Sequence, residues 1–172
     1  MDTPVLFSRI PFQFRIFARS NLWRIPFIGW HLNRSGQIPV DTSTHRTAVQ
    51  SLIRGTEALQ SGMPILLFPD GGRSQLGTIK PFQKGAAYIA IRAQVPIVPM
   101  ALIGTNKVLP MHVYHLTPSP CMLIVGDPIP TTGLTSANSD ALTARLFAAI
   151  SDMYYAHSDV TRPTQTEPTV VP

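Results

Sequence analysis

Short apolar runs that alternate with stretches of helical spacing predict a single α/β layered domain. Residues 63–68, 95–103 and 121–125 are apolar and of strand length, while residues 44–60, 84–93 and 139–154 repeat their apolar positions at three and four. A chain of 172 residues is one domain by size and can bury a core without disulfides. No internal repeat interrupts the alternation.

Taken in order, Pro11 and Pro26 divide the first 34 residues into short helical pieces, and Ser35-Gly36 turns into a brief strand over 37–40. Thr42, Ser43 or Thr44 can cap a helix running to about Gln60, with Val49, Leu52, Ile53 and Leu59 on one face and Ser61-Gly62 as its stop. Residues 63–68 read as a strand buried on both sides. Residues 84–93 form a helix rich in small residues, and 95–103 return as a strand that Pro96 and Pro99 confine to an edge or irregular course, since each removes a ladder donor. Residues 121–125 form another strand between proline-rich turns. Leu142, Leu146, Phe147, Ile150, Met153 and Tyr154 define a last core helix capped by Asn138 or Ser139. The ordered domain is expected over 1–157. Residues 158–172 have too little apolar surface to order themselves and read as a disordered tail.

Charge is uneven. Residues 1–54 hold seven arginines against Asp2 and Asp41, whereas residues 108–172 hold Arg145 and Arg162 against five acids. The basic end is also the aromatic end: Phe7, Phe12, Phe14, Phe17, Phe27, Trp23 and Trp30 interleave with Arg9, Arg15, Arg19, Arg24 and Arg34. That mixture suits an anionic lipid surface. It would also suit nucleic acid, but no nucleic-acid module is recognisable and the many Ile, Leu and Phe residues favour lipid; a packed helical pair with solvated arginines is the plain alternative. Cys121, the single cysteine, has no internal disulfide partner and reads as a buried structural thiol. No run approaches the ~18 apolar residues that a membrane span needs.

The chemistry concentrates in Phe68-Pro69-Asp70-Gly71-Gly72-Arg73-Ser74, followed by Phe82-Gln83-Lys84-Gly85 and by Val95-Pro96-Ile97-Val98-Pro99. An apolar run delivers a carboxylate, two glycines and a guanidinium into one turn. Glycine lets the backbone approach a ligand, and arginine grips phosphate through two parallel hydrogen bonds. The plain reading is a Gly-Gly turn with a surface arginine.

The order and spacing of these segments resemble the lysophospholipid and glycerol-phosphate acyltransferase family, whose later motifs are written approximately FPEGTRS and VPIVP. Gly36-Gln37-Ile38-Pro39-Val40-Asp41 matches the family's IPVD segment. Counting back, Asp2 falls on the aspartate of the first motif, a histidine, four variable residues and an aspartate. The motif histidine would then lie four residues upstream of Met1, so the chain is expected to begin inside its own active site. The resemblance covers about residues 2–135 and implies the glycerol-phosphate acyltransferase version of the α/β fold.

It implies a reaction as well. A histidine takes the proton of an acceptor hydroxyl, which attacks the thioester of acyl-CoA or acyl carrier protein, and the acceptor is a lysophosphatidate-like phospholipid precursor. By the same carry-over Asp2 orients the base, and Asp70, Gly71, Gly72, Arg73 and Ser74 bind the acceptor phosphate, Arg73 by holding it and the glycines by letting the backbone come close. Asp70 replaces the family's glutamate and would brace Arg73 or contact the glycerol. Thr42 stands where the family has arginine, with Arg46 one turn on as a substitute, and Lys84 offers another phosphate contact. No metal or cofactor is implied; the partners are the acceptor, the thioester donor and an anionic membrane at its cytoplasmic face, with no nucleic acid.

Other histidines offer little. Asp41 and His45 could pair at a helix start, and His112 and His115 have a metal-like spacing without a third ligand; His31 and His157 have no context. The chain as given would lack an efficient base. The alternative from another class is a non-catalytic lipid- or phosphate-binding relative without the histidine.

Overall fold

A computed structural model describes residues 2–41, 44–72, 77–109 and 115–163, His45 by its backbone only. The chain opens with helix α1 (Asp2–Arg9), where Asp2 lies in the first turn, the end that favours negative charge, and Leu6 is buried. The next element departs from expectation. Residues read from the sequence as helical form strand β1 (Arg15–Arg19), with Ile16 and Ala18 buried on one face. Five residues are too few for periodicity to separate helix from strand, and the flanking arginines mask the alternation.

After a 3₁₀ turn over Ser20–Arg24 come helix α2 (Ile28–Arg34) and strand β2 (Ile38–Val40); helix α3 (His45–Gln60) leads to strand β3 (Ile65–Leu66). β1 is the centre of a parallel sheet ordered β2-β1-β3. Its later residues pair with β2, Phe17 opposite Ile38 and Arg19 opposite Val40, while Arg15 and Ile16 pair with Ile65 and Leu66. The Gln37 side chain extends the pairing by accepting from the Ile16 N–H at 2.6 Å.

The expected cap of α3 is found. Thr44 accepts from the Thr47 N–H, and the Thr47 hydroxyl reaches back to the Thr44 N–H. Its covered face is wider than the one expected: Val49, Leu52 and Leu59 are half-buried, Ser51, Gly55, Thr56 and Ala58 are buried beside them, and of the expected residues Ile53 is exposed. Small residues face the sheet because the Phe17 ring lies against Gly55, where a Cβ would come within 2.6 Å of it. Ser51 fastens the helix to β2 by donating to the Pro39 carbonyl at 3.0 Å.

The second half is built on helix α4 (Gly85–Ala93), strand β4 (Met100–Ile103), the short helix α5 (Thr105–Val108), strand β5 (Met122–Val125) and helix α6 (Ser139–His157). β4 and β5 pair antiparallel, Met100 opposite Val125, and the irregular stretch ahead of β4 makes a single bridge from Ile97 to Ile129. The prolines thus shorten this strand as expected. Ala87 and Ile91 of α4, Ile129, and Leu142 and Leu146 of α6 form the main core. Cys121 is half-buried rather than buried, its thiol turned to the Ser119 carbonyl. Residues 158–163 run back along α6, where Asp159 pairs with Lys107 and Arg162 with Asp152; the rest of the expected tail lies outside the described residues.

Candidate active site

Parallel strands present their carboxyl ends together, the edge at which open α/β sheets bind ligands. Here β1 ends in Arg19, β2 runs into Asp41, and β3 leads through Pro69 to Asp70. The turn is shaped by Gly71, whose φ of +67° suits glycine, and a Cβ there would meet the Gln83 amide at 2.8 Å. The Gln83 N–H donates to the Pro69 carbonyl at 2.9 Å and holds the two segments side by side.

Asp2 and Asp70, distant in sequence, line one cavity of about 830 Å³. Burial pushes the Asp70 carboxyl above its usual range, and the Asp2 carboxylate adds to the shift; backbone hydrogen bonds at Asp70 and Gly72 and the Lys80 ammonium oppose it. The rest of the wall is mainly apolar, with Leu6, Phe14, Leu67, Phe82, Ile97 and Leu146 among its side chains. Its volume lies in the range of small-ligand sites, roughly 300–1,000 Å³. A long hydrocarbon chain fits such walls, and its polar end would meet the two carboxylates.

Three further residues bear on this edge, and the sequence reading did not single them out for it. The Arg19 guanidinium comes within 3.9 Å of the place a Cβ would occupy on Gly72, putting a cation beside the loop. From α6, the Tyr154 hydroxyl donates to the Gly77 carbonyl at 2.6 Å, and the Ile79 N–H donates to the Tyr155 hydroxyl at 3.1 Å. These contacts join positions more than seventy residues apart, so no local spacing could disclose them.

Other expected site residues lie apart. Lys84 pairs with Asp140 at 2.7 Å on the surface, and Arg46 stands exposed on the first turn of α3; neither lines the cavity. Arg73, Ser74, Thr42 and His112 lie outside the described residues, as does the His45 side chain. His31 and His115 are exposed, and the His157 ring nitrogen Nδ1 lies 3.0 Å from the Met153 carbonyl. Among the described residues no group of three or more potential ligands is placed to hold a metal, and no helix is long and apolar enough to cross a membrane.

The aromatic and arginine cluster divides in two. Phe14 is only 7% exposed, stacks on Phe7 with ring centres 4.7 Å apart, and belongs to a core with Ile16 and Ala18 on which Trp23 packs. Phe12, Phe27 and Trp30 are exposed. The cluster is therefore part core and part surface.

A family model described as Acyltransferase matches residues 1–103, and the chain belongs to this family. It is 36% identical over 98 residues to a chloroplastic 1-acyl-sn-glycerol-3-phosphate acyltransferase of Brassica napus, covering 57% of this chain and 28% of the relative. It is 32% identical over 124 residues to the 1-acyl-sn-glycerol-3-phosphate acyltransferase of Saccharomyces cerevisiae, covering 70% of this chain and 41% of the relative. The chain thus spans well under half the length of these curated relatives. The crystal structure of the 1-acyl-sn-glycerophosphate acyltransferase PlsC of Thermotoga maritima superposes with a TM-score of 0.74 at 24% identity, over 89% of this chain and 60% of that one. The likeness supports the acyltransferase fold, with its small parallel sheet flanked by helices.

Proposed function

We propose that the chain moves a fatty acyl group from acyl-CoA or acyl carrier protein to the free hydroxyl of a lysophosphatidate-like acceptor, at an anionic membrane surface on its cytoplasmic face. The observation that carries this reading is the meeting of Asp2 and Asp70 in one largely apolar cavity at the carboxyl edge of the parallel sheet. The cavity takes hydrocarbon, the Gly71-Gly72 turn with Arg19 beside it takes phosphate, and the reacting hydroxyl lies between them. The relatives whose names specify this reaction support the substrate class.

In the reaction the acceptor oxygen attacks the thioester carbonyl, a C–O bond forms, the C–S bond breaks, and the hydroxyl proton passes through the base to the leaving thiolate. Asp2 orients that base, the motif histidine, which the family pattern places five residues ahead of it. Asp70, whose carboxyl burial and Asp2 push above its ordinary range, braces Arg73 or contacts the glycerol of the acceptor.

The test is a comparison of substrates in protein that carries the motif histidine. Arg73→Ala should raise KM for the phosphorylated acceptor roughly 10- to 150-fold, the equivalent of about 1.5–3 kcal/mol for a charge-assisted contact, with little change for the acyl donor. Arg73→Lys should rescue in part, because a point charge cannot reproduce a two-pronged grip. Equal effects on both substrates would remove Arg73 from the acceptor site.

A further inference from the structure

At the opposite edge of the parallel sheet, where β1 and β2 begin, lies a second cleft of about 480 Å³. Arg15 and Arg54 line it with Trp23, Asn33, Gln37 and Glu57. Gly36 is left-handed, φ +66°, and the Arg15 guanidinium lies over it where a Cβ would come within 3.3 Å, so this glycine makes room for the cation. Among the described residues neither arginine makes an ion pair. Two guanidinium groups border one cleft, and among the described residues Glu57 is the carboxylate that lines it, so the cleft carries an excess positive charge suited to an anion.

The same unit carries an apolar spur. The Trp23 indole N–H donates to the Asn33 side-chain amide oxygen Oδ1 at 2.8 Å and ties together a turn and the start of α2 whose outer residues are Ile25, Phe27, Ile28 and Trp30, all exposed. Phe27 is 86% exposed and Trp30 67%. Phe27 has φ +65° and ψ −46°, a conformation that disfavours any side chain, so the backbone is strained at the residue whose ring stands out in water. Arg24 and Arg34 flank the spur, both exposed.

We infer that this cleft binds the phosphate of an anionic phospholipid headgroup while Phe27 and Trp30 enter the lipid beside it, a docking site separate from the carboxylate cavity. The occupant is a lipid rather than a soluble phosphate because the cationic cleft and the apolar spur share Trp23 and Asn33: one molecule with a charged head and a hydrocarbon body satisfies both. The inference rests on the membrane partner of the proposed function and gives it a surface, while its test is separate from acyl transfer, since it uses no residue of the carboxylate cavity.

Sedimentation of the whole chain with vesicles tests it, with folding checked by circular dichroism. Wild type should bind phosphatidylglycerol-containing vesicles at least tenfold more than phosphatidylcholine vesicles. Arg15→Gln with Arg54→Gln should abolish that preference, and Glu57→Gln should strengthen it. Arg92→Gln with Arg145→Gln, the same loss of charge elsewhere on the exposed surface, should leave most of it. Phe27→Gly should weaken binding to both vesicle types severalfold while leaving the thermal midpoint unchanged or higher, because glycine accepts the positive φ. The inference is overturned if the Arg15/Arg54 variant keeps the preference, or if the control pair loses as much. It is equally overturned if inorganic phosphate binds by calorimetry in an Arg15-dependent way while vesicles do not bind.

Discussion

β1 begins with Arg15 and ends with Arg19, and the two arginines serve opposite edges of the sheet, roughly 13 Å apart at 3.3 Å per residue. At the carboxyl edge Arg19 stands beside a glycine turn, and two carboxylates, one of them raised by burial, line the neighbouring cavity. At the amino edge Arg15 lies over Gly36 in a cleft with Arg54 and no ion-pair partner among the described residues. The strand interior, Ile16 to Ala18, is apolar or packed against Gly55 and is the same for both. Function at each edge is therefore decided by which charges the loops bring to a common scaffold. The carboxyl edge receives residues from α1 and from the turn after β3, whereas the amino edge is completed by the last turns of α3.

The largest expected effect separates these edges by activity. In protein whose reading frame continues upstream and encodes histidine four codons before Met1, Asp2→Asn should lower kcat by roughly 10²–10⁴, the usual worth of a positioned base, with the acceptor KM little changed. Arg15→Gln should leave kcat for a soluble short-chain acceptor within about twofold, because the amino edge touches no reacting atom. A stop codon or another residue at the upstream position would move the reading to a binding relative without catalysis.

At the carboxyl edge the strand and turn that carry Asp70 are legible in the sequence because they are local, whereas Asp2 joins them only through the family resemblance and Arg73 and Ser74 lie outside the described residues. An apolar run followed by Asp70-Gly71-Gly72 leaves few options except a strand and a turn, and the Thr44 cap announced α3. The amino edge was opaque. Arg15 to Arg19 looked helical because alternation over five residues is brief and sits in a basic, aromatic stretch. Phe14 was grouped with Phe12 and Phe27, although it is buried and they are exposed: which rings are covered depends on packing that spacing does not encode. The covered face of α3 is wider than its large residues mark, for a related reason. Large residues suggest a core face, but a helix that must approach the Phe17 ring turns its glycine and small residues inward.

A smaller effect tests the electrostatics of the carboxyl edge. Since the Asp70 carboxyl is raised above its usual 3.8, the folded chain binds more protons than the unfolded chain between that value and the raised one. Stability from this group is full below pH 3.8 and is lost as pH rises through the raised value. Asp70→Asn, which mimics the neutral form, should therefore be more stable than wild type at pH 7 and equal to it below pH 3.8, measured by urea midpoints at the two pH values. A variant less stable at pH 7 would mean that Lys80 and the backbone donors hold the ionised form more strongly than burial and Asp2 oppose it.

The smallest effect asks whether the carboxyl edge is held from a distance, as the amino edge is not. Tyr154 and Tyr155 of α6 reach Gly77 and Ile79, the described residues that follow the glycine turn. Tyr154→Phe leaves a carbonyl without its donor and Tyr155→Phe leaves an N–H without its acceptor, each worth about 0.5–1.5 kcal/mol in urea denaturation. Both contacts fasten one short segment, so the first deletion loosens what the second would have cut. The double variant should cost less than the sum of the singles, with a coupling of roughly 0.5 kcal/mol or more. Deuterium exchange at the Ile79 amide should quicken in Tyr155→Phe, while the Ile16 amide, bonded to Gln37 in the sheet, keeps its protection. Strict additivity with no change at Ile79 would show that the segment is held by packing, leaving the two hydroxyls incidental to the position of the loop.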